Sequence, residues 1–235
     1  MDAARRRNKG PQVESPAVPI RAAKALAPAD GDSPRSPRSR TKGAERAKQI
    51  VEVAEQLFND RGYSETSMDD IARAAGILKG SLYYYMDSKE DLLFKIVSDV
   101  HTDVHAILED VCGRADLPPL ERVAAFVEAQ VVYNTQHVTR ISVYHHEWQH
   151  LDGERLTEIR MRRRQAENMM VELLQEAQEV GSVAEDIDPK LAAFSIFAVV
   201  IWPYTWYRPG SIAPTRLAKF SSDFVMRALG HMPQS

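Results

Sequence analysis

From residue 45 onward apolar residues recur every three or four positions, and beyond residue 86 no strand-type alternation of any length interrupts them. Ala47, Ile50, Val51, Ala54, Leu57 and Phe58 form one apolar stripe, which predicts an amphipathic helix over residues 45–61, stopped by Gly62. Thr66 or Ser67 can cap a second helix, with Asp69 and Asp70 in its first turn where carboxylates suit the helix dipole. Ile71, Ala75, Ile77, Leu82 and Tyr85 then supply the buried side chains of two short crossing helices. Ala72 is small at their contact, and Gly76 allows a reversal at positive φ. The second of the pair is expected over residues 79–84, preceded by Leu78, which has no side chain able to cap it.

Longer helices follow. Asp87 or Ser88 caps one over residues 88–112, ended by Gly113. Pro118-Pro119 starts another, with Val123, Phe126, Val127, Gln130 and Val131 along one side. Residues 138–151 and 154–180 give two more, separated by Gly153 and closed by Gly181. Residues 189–207 are apolar nearly all round, which demands burial on more than one face, and Pro203 should kink this helix and free a carbonyl one turn earlier. Leu217, Phe220, Phe224 and Leu229 fix a last helix over 214–229, with Ser221 and Ser222 small enough for another helix to approach. The fold class is all-α.

The paired helices around Gly76 read as a helix-turn-helix whose second helix enters a major groove, although an ordinary αα-corner would satisfy the same spacing. The order A-x-x-L-F, G-Y, T-S-M-D-D-I-A, A-G-I, K-G-S-L-Y-Y-Y, S-K-E-D-L-L over residues 45–93 resembles the tetracycline-repressor (TetR) family of bacterial transcriptional regulators. Members usually carry a small polar residue where Leu78 stands, and His-Phe where Tyr85-Met86 stand. The resemblance implies a three-helix DNA-binding head over residues 44–90 and a helical effector-binding and dimerisation domain over 91–230. It also implies a homodimer that pairs the last two helices of each copy; a monomeric core hairpin is the competing reading. Lys79, Ser81 and Tyr83 are expected at base edges, and Tyr84, Lys89 and Thr66 at phosphates.

Charge adds an arm to this picture. The net charge of the 235 residues is −3, but residues 1–43 hold ten Lys/Arg against four Asp/Glu, net +6, which leaves net −9 beyond them. Residues 1–43 are rich in Pro and poor in aromatic and branched residues, and so are expected to be a disordered basic tail. Arg40 and Lys42, nearest the helix-turn-helix in sequence, are the expected arm contacts, the alternative being a solvated leader without a role. No signal-peptide-like apolar run follows Arg5–Arg7 and no 18-residue apolar stretch occurs, so a cytoplasmic protein without membrane association is expected. The single cysteine, Cys112, excludes an internal disulfide and fits a reducing compartment.

Two constellations carry candidate chemistry. His146-Glu147-Trp-Gln-His150 spells H-E-x-x-H, the helical pattern in which two imidazoles bind zinc and the Glu activates water. Read literally it offers a metal-responsive regulator or a zinc hydrolase, against the plainer reading of polar residues beside a packing surface. The second set comprises Tyr133, Tyr144, Trp148, Met169, Trp202 and Trp206, with Arg163 and Arg208 among several nearby arginines. Adaptable apolar walls with arginines at the mouth suit an apolar molecule bearing an anionic head, although the same residues also make an ordinary core. The segment 201–210 is similar to one in TetR-like regulators of lipid and steroid breakdown that answer to acyl-coenzyme A thioesters. The sequence therefore points to a non-enzymatic repressor, without a cofactor, that binds a palindromic operator as a dimer and is released by an effector such as an acyl-CoA.

Overall fold

The computed structural model describes residues 37–230, with side chains from Gly43 onward. Arg40, Lys42 and the rest of the basic segment thus have their expected contacts outside the described residues. From Lys42 onward the chain forms one compact unit. Its α-helices are α1 (Pro37–Arg61), α2 (Met68–Ala74), α3 (Lys79–Leu82), α4 (Lys89–Cys112), α5 (Pro119–Gln136), α6 (Val138–Glu147), α7 (Gly153–Glu179), α8 (Pro189–Ile201) and α9 (Pro214–Ala228). Short 3-10 turns, Trp148–His150 and Trp202–Thr205, extend α6 and α8. Among the described residues there is no strand, and no helix is long and apolar enough to cross a membrane.

Each boundary in the head has a local cause. Gly62, at φ +87°, ends α1 while its amide donates to the Phe58 carbonyl at 2.9 Å. Ser67, not Thr66, caps α2, and it does so reciprocally: the Asp70 amide donates to its hydroxyl oxygen at 3.2 Å, and its own amide donates to the Asp70 carboxylate at 3.1 Å. Gly76, at φ +65°, turns the chain between α2 and α3. Ser88 caps α4 by accepting from the Asp91 amide at 3.0 Å. Leu78 has the extended backbone of a cap residue but offers no side-chain bond.

The body is arranged around α5, which packs against α4, α7, α8 and α9 and buries Val123, Phe126, Val127 and Val131 completely. Ser221 and Ser222 are buried in this packing, and the Ser222 hydroxyl reaches the Ala124 carbonyl at 3.5 Å. The small residues of α9 therefore admit α5 of the same chain. A second apolar cluster joins the head residues Ile50, Phe58, Ile71 and Leu82 to Leu92, Ile96 and Val100 of α4, Ile141 and Tyr144 of α6, and Ile159 of α7. The head core thus continues past residue 90 into the body, and α4 and α6 belong to both.

Candidate nucleic-acid interface and interhelical cavity

On the head, α2 and α3 bury Ile71, Ala72 and Leu82 and leave Leu78, Lys79, Ser81, Tyr83 and Tyr84 on one exposed stretch. Regular α-helix ends at Leu82, shorter than expected, but the Tyr84 and Tyr85 amides continue the turn by donating to the Ser81 and Leu82 carbonyls at 3.3 and 2.9 Å. Lys79 lies 3.0 Å from Asp69 in an exposed ion pair. The hydrogen bond to Asp69 and its charge raise the ammonium pKa, so Lys79 stays a cation. Arg46 of α1, which sequence reasoning passed over, donates to the Ala75 carbonyl at 2.9 Å and pins the end of α2.

Two expected phosphate contacts are turned inward. Thr66 is 1% exposed, and its hydroxyl donates to the Gly62 carbonyl at 2.8 Å, so it stabilises the α1–α2 connection. Lys89 donates to the Tyr63 carbonyl at 2.7 Å with its ammonium 4.2 Å from the centre of the Tyr63 ring, and burial pushes its pKa down. Both side chains carry short-range packing that sequence spacing does not reveal.

In the body a cavity of about 100 Å³ lies between α4, α5, α6, α7 and α8. Ile141, Val104, Phe197 and Val200 give it apolar walls; Tyr144 and Arg163 also line it, as expected. Trp148 stands behind Arg163, its ring centre 5.0 Å from the guanidinium, and so orients the cavity's cation. The remaining candidates fall elsewhere. The Tyr133 hydroxyl donates to Asp103 at 2.8 Å, and Met169 packs against the main core. Trp202 is 64% exposed, Trp206 is also exposed, and exposed Arg208 donates to the Tyr207 carbonyl at 3.2 Å. The cause is the break that Pro203 imposes: α8 stops at Ile201, and the 3-10 turn Trp202–Thr205, with Trp206 as its C-terminal cap, leaves both tryptophans at the surface.

The polar lining was missed. His101, Gln130, Asn134, His145 and Glu167 reach the cavity, and the signal for two of them was present as His101 and Gln130 standing on apolar stripes of α4 and α5. Burial first, and Arg163 second, push both His101 and His145 down to about 4, so each imidazole is neutral near pH 7. Burial pushes the Tyr144 phenol up to about 12.

The H-E-x-x-H pattern does not make a metal site. Helix α6 ends at Glu147, so His146 and His150 do not share a helical face; His150 instead lies 3.2 Å from Glu147 and stacks on Tyr63. Among the described residues no group of three or more His, Cys, Asp or Glu is placed to hold a metal ion.

The bacterial regulatory proteins of the tetR family match residues 50–96, and the tetracyclin repressor-like C-terminal domain matches residues 116–229. The HTH-type transcriptional repressor KstR2 of Mycobacterium tuberculosis strain H37Rv is 31% identical over 183 residues, 77% of this chain and 90% of the relative. KstR2 of Mycolicibacterium smegmatis is 27% identical over 201 residues, 85% of this chain and 97% of the relative. The solved ketosteroid transcriptional regulator KstR2 of Mycobacterium tuberculosis superimposes with a TM-score of 0.74 at 28% identity, covering 78% of this chain and 94% of that one. AibR, solved in complex with isovaleryl coenzyme A and operator DNA, gives a TM-score of 0.65 at 30% identity over 76% of this chain and 97% of its own.

Proposed function

Because this chain belongs to the TetR family of bacterial transcriptional regulators, we propose that it is a dimeric repressor released from its operator by a short-chain acyl-coenzyme A thioester. The observation that carries the effector is the cavity, apolar except for neutral imidazoles, amides, the Tyr144 phenol and the charged Arg163 and Glu167. At about 100 Å³ it is far smaller than a site for a whole cofactor-sized ligand, so only the acyl end enters. A surface groove of about 410 Å³ between α4 and α7 shares His101 and Ala166 with the cavity and is lined by Thr102, His105, Ala106, Glu109, Gln165 and Arg162, the last 2.6 Å from Glu158. The nucleotide part of the thioester fits this groove, with Arg162 beside its phosphates. AibR's complex with isovaleryl coenzyme A supports the same ligand class for a chain of this fold.

On the DNA side, Lys79, Ser81, Tyr83 and Tyr84 are the proposed groove and phosphate contacts, with Arg40 and Lys42 as arm contacts. One head reads too few base pairs to be selective, so two act together on a palindrome. Leu191, Phe194, Phe220 and Phe224 expose large apolar side chains on α8 and α9, and Trp202 and Trp206 extend the patch; burial against a second copy is the reading that accounts for it. Entry of the acyl group separates α4 from α6 and α7. Since α4 and α6 also pack on the head, the spacing of the two heads changes, and effector and operator affinities are linked reciprocally.

The test is fluorescence anisotropy of the protein on its own promoter DNA, titrated with butyryl-CoA, isovaleryl-CoA and free coenzyme A. Release by a thioester but not by free coenzyme A is expected. Binding that ignores all thioesters, or that is equal for promoter and random DNA, would sink the reading.

A further inference from the structure

Two amides in the cavity wall have their orientation fixed by the backbone. Asn134, fully enclosed, donates through Nδ2 to the Val200 carbonyl at 2.7 Å, one turn before Pro203, a residue that brings no N–H of its own. A carbonyl only accepts, so Asn134 must turn Oδ1 the other way, where it accepts from Gln130 Nε2 at 2.8 Å. The Gln130 amide is thereby committed: its Oε1 is an acceptor and cannot be exchanged for the NH₂ group. Gln130 is 3% exposed and this Oε1 has no hydrogen-bond partner.

A second unmet group shares the cavity. His101 is 7% exposed, and its Nε2 is also without a partner. Both residues line the same space, with apolar Val104, Ile141 and Phe197 and polar Tyr144, His145, Arg163 and Glu167 around it. Buried polar atoms are nearly always paired, and leaving one unmet is costly, so an unmet acceptor and an unmet imidazole nitrogen on residues of one cavity wall point to the chemistry of a ligand that would meet them.

We propose that Gln130 and His101 recognise a hydroxyl group on the acyl chain of the effector. This rests on the thioester reading above and narrows it to hydroxyacyl thioesters. With His101 as its Nε2–H tautomer, a hydroxyl gives its hydrogen to Gln130 Oε1 and accepts from His101 Nε2–H, so it meets both groups. A ketone meets only the imidazole, and a saturated chain meets neither. Discrimination of this kind is strong because the wrong ligand leaves the site's own polar atoms unpaired.

The experiment measures binding of butyryl-CoA, acetoacetyl-CoA and the β- and γ-hydroxybutyryl-CoA thioesters to the full chain by titration calorimetry, with circular dichroism to confirm folding of each variant. At least one hydroxyacyl thioester is expected to bind tenfold or more tightly than butyryl-CoA. Gln130→Met is expected to erase that preference, so that the hydroxybutyryl thioesters and butyryl-CoA bind this variant alike, and His101→Phe, an independent variant, to do the same. Equal affinity for butyryl and both hydroxybutyryl thioesters, or a preference that survives both substitutions, overturns the proposal while leaving the thioester reading intact. Binding of none of the four removes the thioester reading itself, and this proposal with it.

Discussion

Arg140 on α6 donates to Glu55 on α1 at 2.7 Å, tying a helix that walls the interhelical cavity to the first helix of the DNA-binding head. Both side chains are largely buried, and Arg140 also lies 3.8 Å from Asp103, which accepts from Tyr133. Desolvation holds the Glu55 carboxyl above its ordinary pKa even with the guanidinium beside it. The pair is therefore a fixed joint rather than a surface ornament. Arg140→Met would strand Glu55 in the interior and is expected to cost about 3 kcal/mol of unfolding free energy, as removal of one partner of a buried pair does. Its distinctive effect is on coupling: the thioester should still bind, but the loss of DNA affinity that it causes should shrink at least fivefold. Denaturant unfolding and DNA anisotropy with and without butyryl-CoA measure the two effects, and an unchanged response to effector would remove the joint from the mechanism.

The helix-turn-helix and the long helices were legible in the sequence because their apolar spacing, caps and glycines are local properties; Gly62, Gly76, Ser67 and Ser88 act where the pattern put them. The cavity was half legible. Tyr144 and Arg163 were found by residue type, but Trp202 and Trp206 were misplaced because large aromatics serve a cavity and an exposed patch equally well, and only the turn at Pro203 decides between them. Asn134 escaped notice, and Gln130 stood on the apolar side of its helix without a role, since an amide has meaning only through its partners, and the Val200 carbonyl is distant in sequence. Thr66 and Lys89 misled for the same reason: a polar residue near a DNA-binding helix can equally be spent on the backbone that supports it.

Acid should destabilise the protein well before its carboxylates are protonated. His101 and His145 sit near 4 in the folded chain and near 6.5 in the unfolded chain, so between those values the unfolded state binds more protons. Their contribution is complete above pH 6.5 and is lost as pH falls toward 4, about 3 kcal/mol for His101. Glu55 acts with the opposite sign, since its raised pKa favours the folded state as pH falls through its titration, so it offsets part of the loss from the two histidines. Urea midpoints at pH 7.5, 6.0, 5.0 and 4.5 are expected to fall steadily, and His101→Phe to flatten the slope. A flat profile between pH 7 and 5 would contradict neutral buried imidazoles.

The patch on α8 and α9 predicts a dimer sensitive to single charges. Phe220 is 68% exposed and Phe224 is also exposed, while their neighbours Leu217, Ser221 and Val225 face α5. Phe220→Glu should leave the fold of the protomer intact, because most of the side chain is exposed, yet place a carboxylate in the apolar centre of the proposed interface. Analytical ultracentrifugation is expected to show a dimer for the parent chain and a monomer for Phe220→Glu at micromolar concentration, with operator binding reduced at least a hundredfold as two-headed contact is lost. A dimer that tolerates charge at both Phe220 and Phe224 would place the interface elsewhere.

Lys79 and Asp69 make opposite predictions from one exposed ion pair. Lys79 is the first residue of α3 and carries positive charge on the face proposed to meet DNA, while Asp69, 3.0 Å away, sets a negative charge beside it. Exposed pairs contribute little to stability, so neither substitution should move the melting temperature appreciably. DNA binding should separate them. Lys79→Ala removes a cation and is expected to weaken operator binding at least tenfold, with a shallower dependence on salt, because one fewer counterion is released. Asp69→Asn removes the competing carboxylate, freeing Lys79 to meet phosphate or a base edge, and should tighten binding severalfold at low salt with its largest gain on non-specific DNA. The double variant decides the matter: if Asp69 acts by holding Lys79, Asp69→Asn gives little gain once Lys79 is Ala. Equal gains in both backgrounds would make Asp69 a general repulsive charge, and no effect of either substitution would move the DNA-reading surface away from α3.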